Sequence, residues 1–494
     1  MTVAPGATAT VAPGSAPPVW RQAAGAFWSG VWRDGDSSFP VYDPEDGALL
    51  GYVTDASAAD VDAAVTSVAA AVHEGPAWPA WSRREALRTA ASLIRERRAL
   101  FTEVISREGS KTVREADAEV SRAVETLRLS AEQAGRLTGE TLPFEDTPRG
   151  QDRLGWYTRE PVGVVAAITP FNDPLNLIAH KLGPALVAGN GVVLKPAETT
   201  PFTALAFTAV LLDAGVPAER LAVVPGAGST AGQALVSHPL VDLVSFTGGH
   251  RTGNAVARAA GARKTLMELG GNNCVIVLAD AEVSRAAQAV VAGAFGVAGQ
   301  NCLSVQRVFV TAELAERFTD EVVTATRLLR VGSKRDPLTD VGPLIEEREA
   351  VRVAAWVEEA RERGAEIRAG GRRDGAFHWP TVLTGVPADT RLMTDEVFGP
   401  ALVVNAFDSV DDAVRQANST EFGLQAGVFT GSLDAALGLA ERLRVGAVMI
   451  NDSSDFRIDA MPFGGPKRSG VGREGVRYAV EAMTEPKVVA IRRC

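Results

Sequence analysis

The chain has 494 residues, with 50 Lys and Arg against 60 Asp and Glu, a formal net charge of -10 at pH 7. That length is too great for one small core and predicts more than one folding unit, while scattered basic residues on an acidic chain argue against nucleic acid or an anionic membrane as a partner. Three cysteines, Cys274, Cys302 and Cys494, lack metal-ligand spacing, so neither a disulfide framework nor a structural zinc site is expected, and a reducing compartment fits.

Residues 1–19, rich in Ala, Pro, Gly, Ser and Thr, read as a disordered tail. The first basic residue is Arg21 and no continuous apolar core precedes it, so neither a secretory signal nor a transit peptide is expected. No apolar run reaches the roughly eighteen residues of a membrane helix, and the expected location is the cytoplasm. From about residue 58 to 137, in stretches such as WSRREALRTAASLIRERRALFTEVISREGSK, apolar positions recur at helical spacing with charges between them, which predicts a layer of amphipathic helices. Between residues 153 and 271, short β-branched runs alternate with helical stretches, the pattern of βαβ units and a parallel sheet. A second α/β segment runs from NCVIVLADAE to VGAVMIND and contains Cys302.

Three turns after successive strands carry polar chemistry. In GVVLKPAETTPFTALAF, Lys195 and Glu198 stand where an open parallel sheet places ligands and suit ribose hydroxyls; a solvated charge pair is the plain alternative. PGAGSTAGQALVSHP has Gly226, Gly228 and Gly232, which is not the G-x-G-x-x-G spacing of a standard dinucleotide fingerprint. FTGGHRTG, from Thr247 to Gly253, has glycines that would let backbone N–H groups approach a pyrophosphate. Taken together the three turns point to a nucleotide crevice.

Cys274 lies inside an apolar run, as a structural thiol does, whereas Cys302 follows Gly299-Gln300-Asn301 in a polar turn and reads as reactive. None of the five histidines carries a protease-type signature, so a Cys-His protease is disfavoured. Glu268, in MELGGNN at the end of a predicted strand, sits among apolar neighbours that disfavour its charged form and raise its pKa toward the range of a general base; a surface Glu is the alternative. Asn172, in ITPFNDPLN between a strand and a helix, offers an amide to a developing oxyanion, or simply caps the helix.

PFNDPLN, AHKLGPALVAGN, LKPAETTP, SFTGG, MELGGNN, GQNC and EVFGP, in that order, resemble the NAD(P)-dependent aldehyde dehydrogenase superfamily over nearly the whole chain after the tail. The resemblance implies an α/β fold: a Rossmann-type parallel-sheet cofactor domain (20–138 and 161–268), an α/β catalytic domain (269–478) and a small β oligomerisation arm (139–160 and 479–494), assembled as a homodimer or homotetramer. It implies Cys302 as nucleophile, attacking as the thiolate, Glu268 as the base that activates water, and Asn172 with the Cys302 N–H as the oxyanion hole, with Lys181 near the base and cofactor. It implies cofactor contacts from Ile168, Thr169, Pro170, Lys195, Ala197, Glu198, Gly228, Phe246, Thr247, Gly248, Leu269, Glu396 and Phe398. Gly249 stands where the family more often has Ser, so that pyrophosphate contact is lost or passes to the backbone. The implied chemistry is hydride transfer from a thiohemiacetal to the nicotinamide, then hydrolysis of the thioester, with no metal.

Polar residues occupy positions that the family often fills with apolar or aromatic ones: Asp173, Asn176, His180, Asn301 and Arg457. An unmade hydrogen bond costs about 1–3 kcal/mol per buried group, so a small polar or anionic aldehyde is expected, a hydroxyaldehyde, semialdehyde or phosphonate aldehyde. SSDFRIDAMPFGG and the segment after it resemble the branch containing lactaldehyde and phosphonoacetaldehyde dehydrogenases. Arg457 with His180 would bind the polar end of the substrate; the alternative is a loop-ordering pair of Arg457 with Asp455 or Asp459. Glu198 would repel a ribose 2'-phosphate, which favours NAD, while Lys195 leaves room for NADP. A CoA-acylating semialdehyde dehydrogenase and a non-catalytic structural member of the fold are the competing readings. Glu268 favours hydrolysis over acyl transfer, and the presence of Cys302, Glu268 and Asn172 favours catalysis.

Overall fold

Runs of Val, Ala, Leu and Ile that are too short for helices pair into two open, largely parallel sheets. The computed structural model describes residues 25–493; the expected tail at 1–19 and Cys494 lie outside the described residues. In the first sheet, five parallel strands lie in the order Leu221–Val223, Gly191–Lys195, Val164–Ile168, Leu243–Thr247, Lys264–Glu268. Val164–Ile168 and Gly191–Lys195 are buried at every position, as strands covered on both faces must be. Successive strands step outward from Val164–Ile168 in one direction and then the other, so a crevice opens beyond their carboxyl ends at that reversal. An antiparallel hairpin, Ala26–Trp28 and Val31–Arg33, closes one edge of this sheet. Gly470–Val471, from a segment assigned by sequence to the catalytic domain, closes the other.

The predicted helical layer is present as Ala58–His73, Ala80–Glu96, Arg98–Glu108 and Val113–Gln133. Ser57 with Asp60 and Thr112 with Glu115 form capping boxes that start the first and last of these helices. Val113–Gln133 packs on Asn176–Ala188, a helix buried at all its positions and ended by Gly189 at φ 99°.

The second sheet runs Glu366–Ala369, Thr381–Thr384, Ala401–Phe407, Val305–Thr311, Asn273–Val277, Gln425–Phe429, Ala447–Ile450, parallel apart from the first pair. Cys274 lies inside one of these strands and is buried. A separate antiparallel sheet joins Glu140–Leu142, Arg153–Pro161 and Thr484–Arg492. No helix among the described residues is long and apolar enough to cross a membrane.

One buried ion pair ties distant segments together. Asp43, at the turn between Ser38–Tyr42 and Leu49–Thr54, meets Lys334 at 2.7 Å, and both side chains are fully buried. Lys334 Nζ also donates to the carbonyls of Gly109 (2.7 Å) and Arg107 (3.0 Å). With Lys334 gone, Asp43 keeps Arg107 (3.0 Å) and Arg335 (2.7 Å), so Lys334→Ala should lower stability by about 1–3 kcal/mol. Thermal unfolding should show a clear fall in midpoint, whereas Arg84→Ala, at an exposed pair, should change stability by no more than about 0.5 kcal/mol.

Candidate active site

The carboxyl ends of the first sheet and the amino ends of the second border one cleft of about 810 Å³. The first sheet contributes Ile168, Thr169, Pro170 and Asn172, then Lys195, Ala197 and Glu198, then Phe246 to Gly249, and finally Glu268 and Leu269; Gly228 joins them. Asn301, Cys302, Glu396, Phe398 and Arg457 come from the other side. Of the residues singled out by sequence, Lys181, Asn176 and His180 are absent from this lining.

Cys302 is delivered by a strained approach. After the helix Val283–Phe295, Val297, Ala298 and Gly299 all take positive φ (52°, 53° and 72°), a run that is costly for residues with a Cβ. The Val297 N–H donates to Glu115 Oε1 at 2.7 Å. The Gln300 side chain donates to Ser110 Oγ (3.0 Å) and accepts from the Ile345 N–H (2.9 Å), so neighbouring elements hold the turn. A Cβ on Gly299 would lie 2.2 Å from the Gly399 carbonyl oxygen, which restricts this position to glycine. Cys302 is partly exposed, its Sγ 3.7 Å from Asn301 Oδ1, and its carbonyl accepts from Asn273 Nδ2 at 2.7 Å. Burial pushes the thiol up from its ordinary value, and the Arg457 charge draws it partly back. Among the described residues, neither the Cys302 N–H nor the Asn172 side chain has a hydrogen-bond partner.

Glu268 ends its strand with Oε1 accepting from the Glu474 N–H at 3.1 Å, while Oε2 is buried without a partner among the described residues. Burial and the adjacent Glu474 charge push its carboxyl well above the ordinary range. Against its own burial, the charges of Arg457 and Lys181 hold the Glu474 carboxyl below its ordinary range. Arg457 Nη2 lies 2.9 Å from Glu474 Oε2, and Lys181 Nζ lies 3.8 Å from Oε1. Lys181 also donates to Ser245 Oγ at 3.2 Å, so it acts from behind the cleft wall rather than within it.

The residues expected to bind substrate divide. Asp173 lines the cleft, but one carboxylate oxygen is taken by Lys111 and the other by Arg122 at 3.1 Å. Asn176 and His180, 0% and 1% exposed, both hydrogen-bond Asp459 Oδ1, at 3.2 and 2.9 Å, one layer behind the cleft. They support the wall and do not reach a substrate. Arg457 lines the cleft and stacks 3.9 Å over the Phe463 ring, but its ion-pair partner is Glu474 and neither Asp455 nor Asp459. Sequence reading missed Arg122, Asp455 and Glu474, all of which line the cleft. Arg122 sits among the charges of an amphipathic helix, and nothing local marks it.

The other half of the cleft suits a dinucleotide. Glu198 Oε1 accepts from Lys195 Nζ (3.0 Å) and from the Gly228 N–H (2.7 Å). Against the cost of burial, the Lys195 charge and these bonds keep the Glu198 carboxyl below its usual range. Of the glycines expected close to the cofactor, Gly228 and Gly248 have their N–H groups engaged already, with Glu198 and with the Glu268 carbonyl at 3.1 Å. What remains is Gly249, the uncapped start of the helix His250–Ala260, with open space where a Cβ would stand, and Thr247 Oγ1, buried without a partner among the described residues. Glu396 Oε1 accepts from the Gly271 N–H at 3.0 Å, and burial pushes its carboxyl up to about 7. Gln306 braces the same corner, donating to the Gly271 carbonyl (3.0 Å) and accepting from the Val397 N–H (2.9 Å). Phe398, at φ 45°, meets Phe171 edge-on with centroids 5.8 Å apart. Unmatched donors on one flank and a ribose-type carboxylate on each fit the group. Among the described residues, no cluster of His, Cys, Asp and Glu is placed to hold a metal ion.

A parallel-sheet nucleotide cleft with a thiol, a buried carboxyl and a free amide at its inner end is the arrangement of an aldehyde-oxidising fold. Residues 32–489 match the aldehyde dehydrogenase family, and the chain belongs to it. It is 42% identical over 467 residues to the 3-sulfolactaldehyde dehydrogenase of Priestia aryabhattai, covering 94% of this chain and 98% of that protein. It is 40% identical over 405 residues to a lactaldehyde dehydrogenase of Methanococcus maripaludis, covering 81% and 86%. The crystal structure of NADP-dependent glyceraldehyde-3-phosphate dehydrogenase from Bacillus halodurans in complex with NADP superposes with a TM-score of 0.94 at 34% identity, covering 96% of this chain and 100% of that one.

Because the Arg457 charge is what offsets burial at the thiol, Arg457→Gln should raise the Cys302 pKa further. Alkylation by iodoacetamide at pH 8 should slow by about 3–10-fold, since one pKa unit changes the thiolate fraction about tenfold. An unchanged rate would mean that Arg457 does not act on the sulfur.

Proposed function

We propose that this protein oxidises a small polar or anionic aldehyde to the carboxylic acid with NAD or NADP, through a thiohemiacetal and a thioester on Cys302. The observation that carries the reading is one cleft containing a partly exposed thiol, a buried carboxyl oxygen without a partner and an amide without a partner, on Cys302, Glu268 and Asn172.

Lys195, Glu198, Thr247 and the start of the helix at Gly249 would hold the adenosine and phosphate end of the cofactor, and Glu396 with Phe398 the nicotinamide end. An ionised Glu198 disfavours a 2'-phosphate, so NAD is preferred and Lys195 is what admits NADP. Bound there, the dinucleotide supplies the two-electron acceptor that turns the thiohemiacetal into a thioester. The chain's own part begins as the Cys302 thiol loses its proton to solvent at the cleft and its sulfur bonds to the carbonyl carbon. The carbonyl oxygen gains negative charge between the Asn172 amide and the Cys302 N–H, donors without a partner among the described residues. In the second half, Glu268 takes a proton from water, the hydroxide adds to the thioester, and the carbon–sulfur bond breaks to return the thiol and release the acid. A buried base with a free oxygen favours water over CoA as the acyl acceptor.

The cleft combines Phe171, Phe398 and Phe463 with Arg122, Asp173, Asn301, Asp455 and Arg457, a wall that supports a short polar chain over a long apolar one. The names of the sulfolactaldehyde and glyceraldehyde-3-phosphate enzymes also point to small anionic aldehydes. We read the sheet containing Thr484–Arg492 as the oligomerisation arm of a dimer or tetramer, because Val488 (57% exposed), Ile491 (48%) and Leu154 (45%) leave it apolar and uncovered.

Glu268→Gln should keep a first turnover of about one NADH equivalent per site while its steady-state rate falls by about 10²–10⁴-fold, read by stopped flow. The kcat profile should rise with pH through a limb above the ordinary carboxyl range, because the raised Glu268 must lose its proton to act. Asn172→Ala should cut kcat/KM by about 10²–10³-fold. Retention of full turnover by Cys302→Ser would defeat the reading.

A further inference from the structure

Six carboxylates line the cleft: Asp173, Glu198, Glu268, Glu396, Asp455 and Glu474. Three have cations in contact, Asp173 with Lys111 and Arg122, Glu198 with Lys195, and Glu474 with Arg457 and Lys181. Of the other three, Glu268 is the proposed base and Glu396 the proposed ribose ligand. Asp455 has no such task.

Asp455 is nevertheless built in. Its Oδ1 accepts from Asn301 Nδ2, and its own N–H donates to Ser453 Oγ at 3.4 Å. The acceptor-only carboxylate fixes which way the Asn301 amide faces. The Asn301 oxygen is thereby turned to the Leu303 N–H (3.1 Å) and to Cys302 Sγ (3.7 Å), so one amide side chain separates the sulfur from Asp455. The other oxygen of Asp455 has no hydrogen-bond partner among the described residues. The nearest guanidinium influence, Arg122, meets Asp173 through one terminal nitrogen and Asp459 through the other, which leaves further N–H donors of its fork for a ligand. Burial pushes the Asp455 carboxyl up to about 7, so a donor or cation reaching its free oxygen would stabilise the ionised form. Arg122, with its side chain 37% exposed, is the most accessible cation of the lining, against 6% for Arg457 and 4% for Lys195.

We propose that Asp455, steered by Asn301, is a specificity-determining acceptor for an N–H or O–H group on the carbon chain of the aldehyde, with Arg122 taking the acid group at its far end. The assignment rests on aldehyde oxidation at Cys302 as described above. It places the substrate among short aldehydes that carry both a donor and an acid, and it separates them from unsubstituted semialdehydes of the same length.

Three probes share one skeleton and differ in one substituent: 4-oxobutanoate, 2-hydroxy-4-oxobutanoate and 2-amino-4-oxobutanoate. With the wild-type enzyme and NAD, at least one substituted probe should exceed the unsubstituted one in kcat/KM by about tenfold or more, the scale of a hydrogen bond to a charged group. In Asp455→Asn that ratio should fall by about tenfold. A fall for the ammonium probe alone assigns Asp455 to a cation; a fall for both assigns it to any donor. Wild-type ratios near one, or ratios that Asp455→Asn leaves within about twofold, overturn the proposal. The wild-type ratios decide alone if the variant does not fold. Should none of the probes nor lactaldehyde be oxidised, aldehyde oxidation itself fails, and the assignment with it.

Discussion

The carboxylate of Glu474 is the fixed charge around which the cleft is organised. It stands beside Glu268 and denies that residue an easy ionisation, while Arg457 and Lys181 keep Glu474 itself charged. A base whose charged form is disfavoured, with one buried oxygen unpaired among the described residues, follows from that asymmetry. The same Arg457 lies close enough to Cys302 to counter the effect of burial on the thiol. One ion pair therefore bears on both halves of the proposed reaction, the attack by sulfur and the attack by water.

The pair is the inner end of a longer chain of charges. Lys111 joins Glu119 (2.7 Å) and Asp173, Asp173 joins Arg122, Arg122 joins Asp459 (3.1 Å), and Asp459 joins His180 (2.9 Å), which lies 3.4 Å from Arg457. Glu119 also accepts the N–H groups of Leu175 (2.7 Å) and Asn176 (3.0 Å), so it fixes the start of the helix that carries His180 and Lys181. Buried networks of this kind add little net stability and are expensive to break, because every member left alone keeps its desolvation cost. Their value here is position: they hold the turn at Asn172 and the wall behind the thiol in register.

Much of the site was legible because it is local. Cys302 in a polar turn, Glu268 at a strand end before two glycines, and Asn172 between strand and helix each announce themselves within a few residues, and the structure puts all three in one cleft. The alternation that predicted the parallel sheets was legible for the same reason. Asn176 and His180 stand one layer behind the cleft, and the sequence does not show it because their helix is buried on every side and its pattern carries no record of which face meets the cleft. Arg122, Asp455 and Glu474 were missed because their partners lie far along the chain: Arg122 and Asp459 are separated by 337 positions, and Glu474 and Glu268 by 206.

Gly470–Val471 pairs with Met267 and Glu268 across the edge of the first sheet, and the Leu269 N–H donates to the Ser469 carbonyl at 3.0 Å. A strand from the segment that follows the second sheet in the chain is thus built into the first, immediately beside the base. Pulling that segment away from the first sheet would rupture the ladder and displace Glu268. Traffic in and out must instead run through the open rim, by rearrangement of side chains and loops there, while the seam below stays shut.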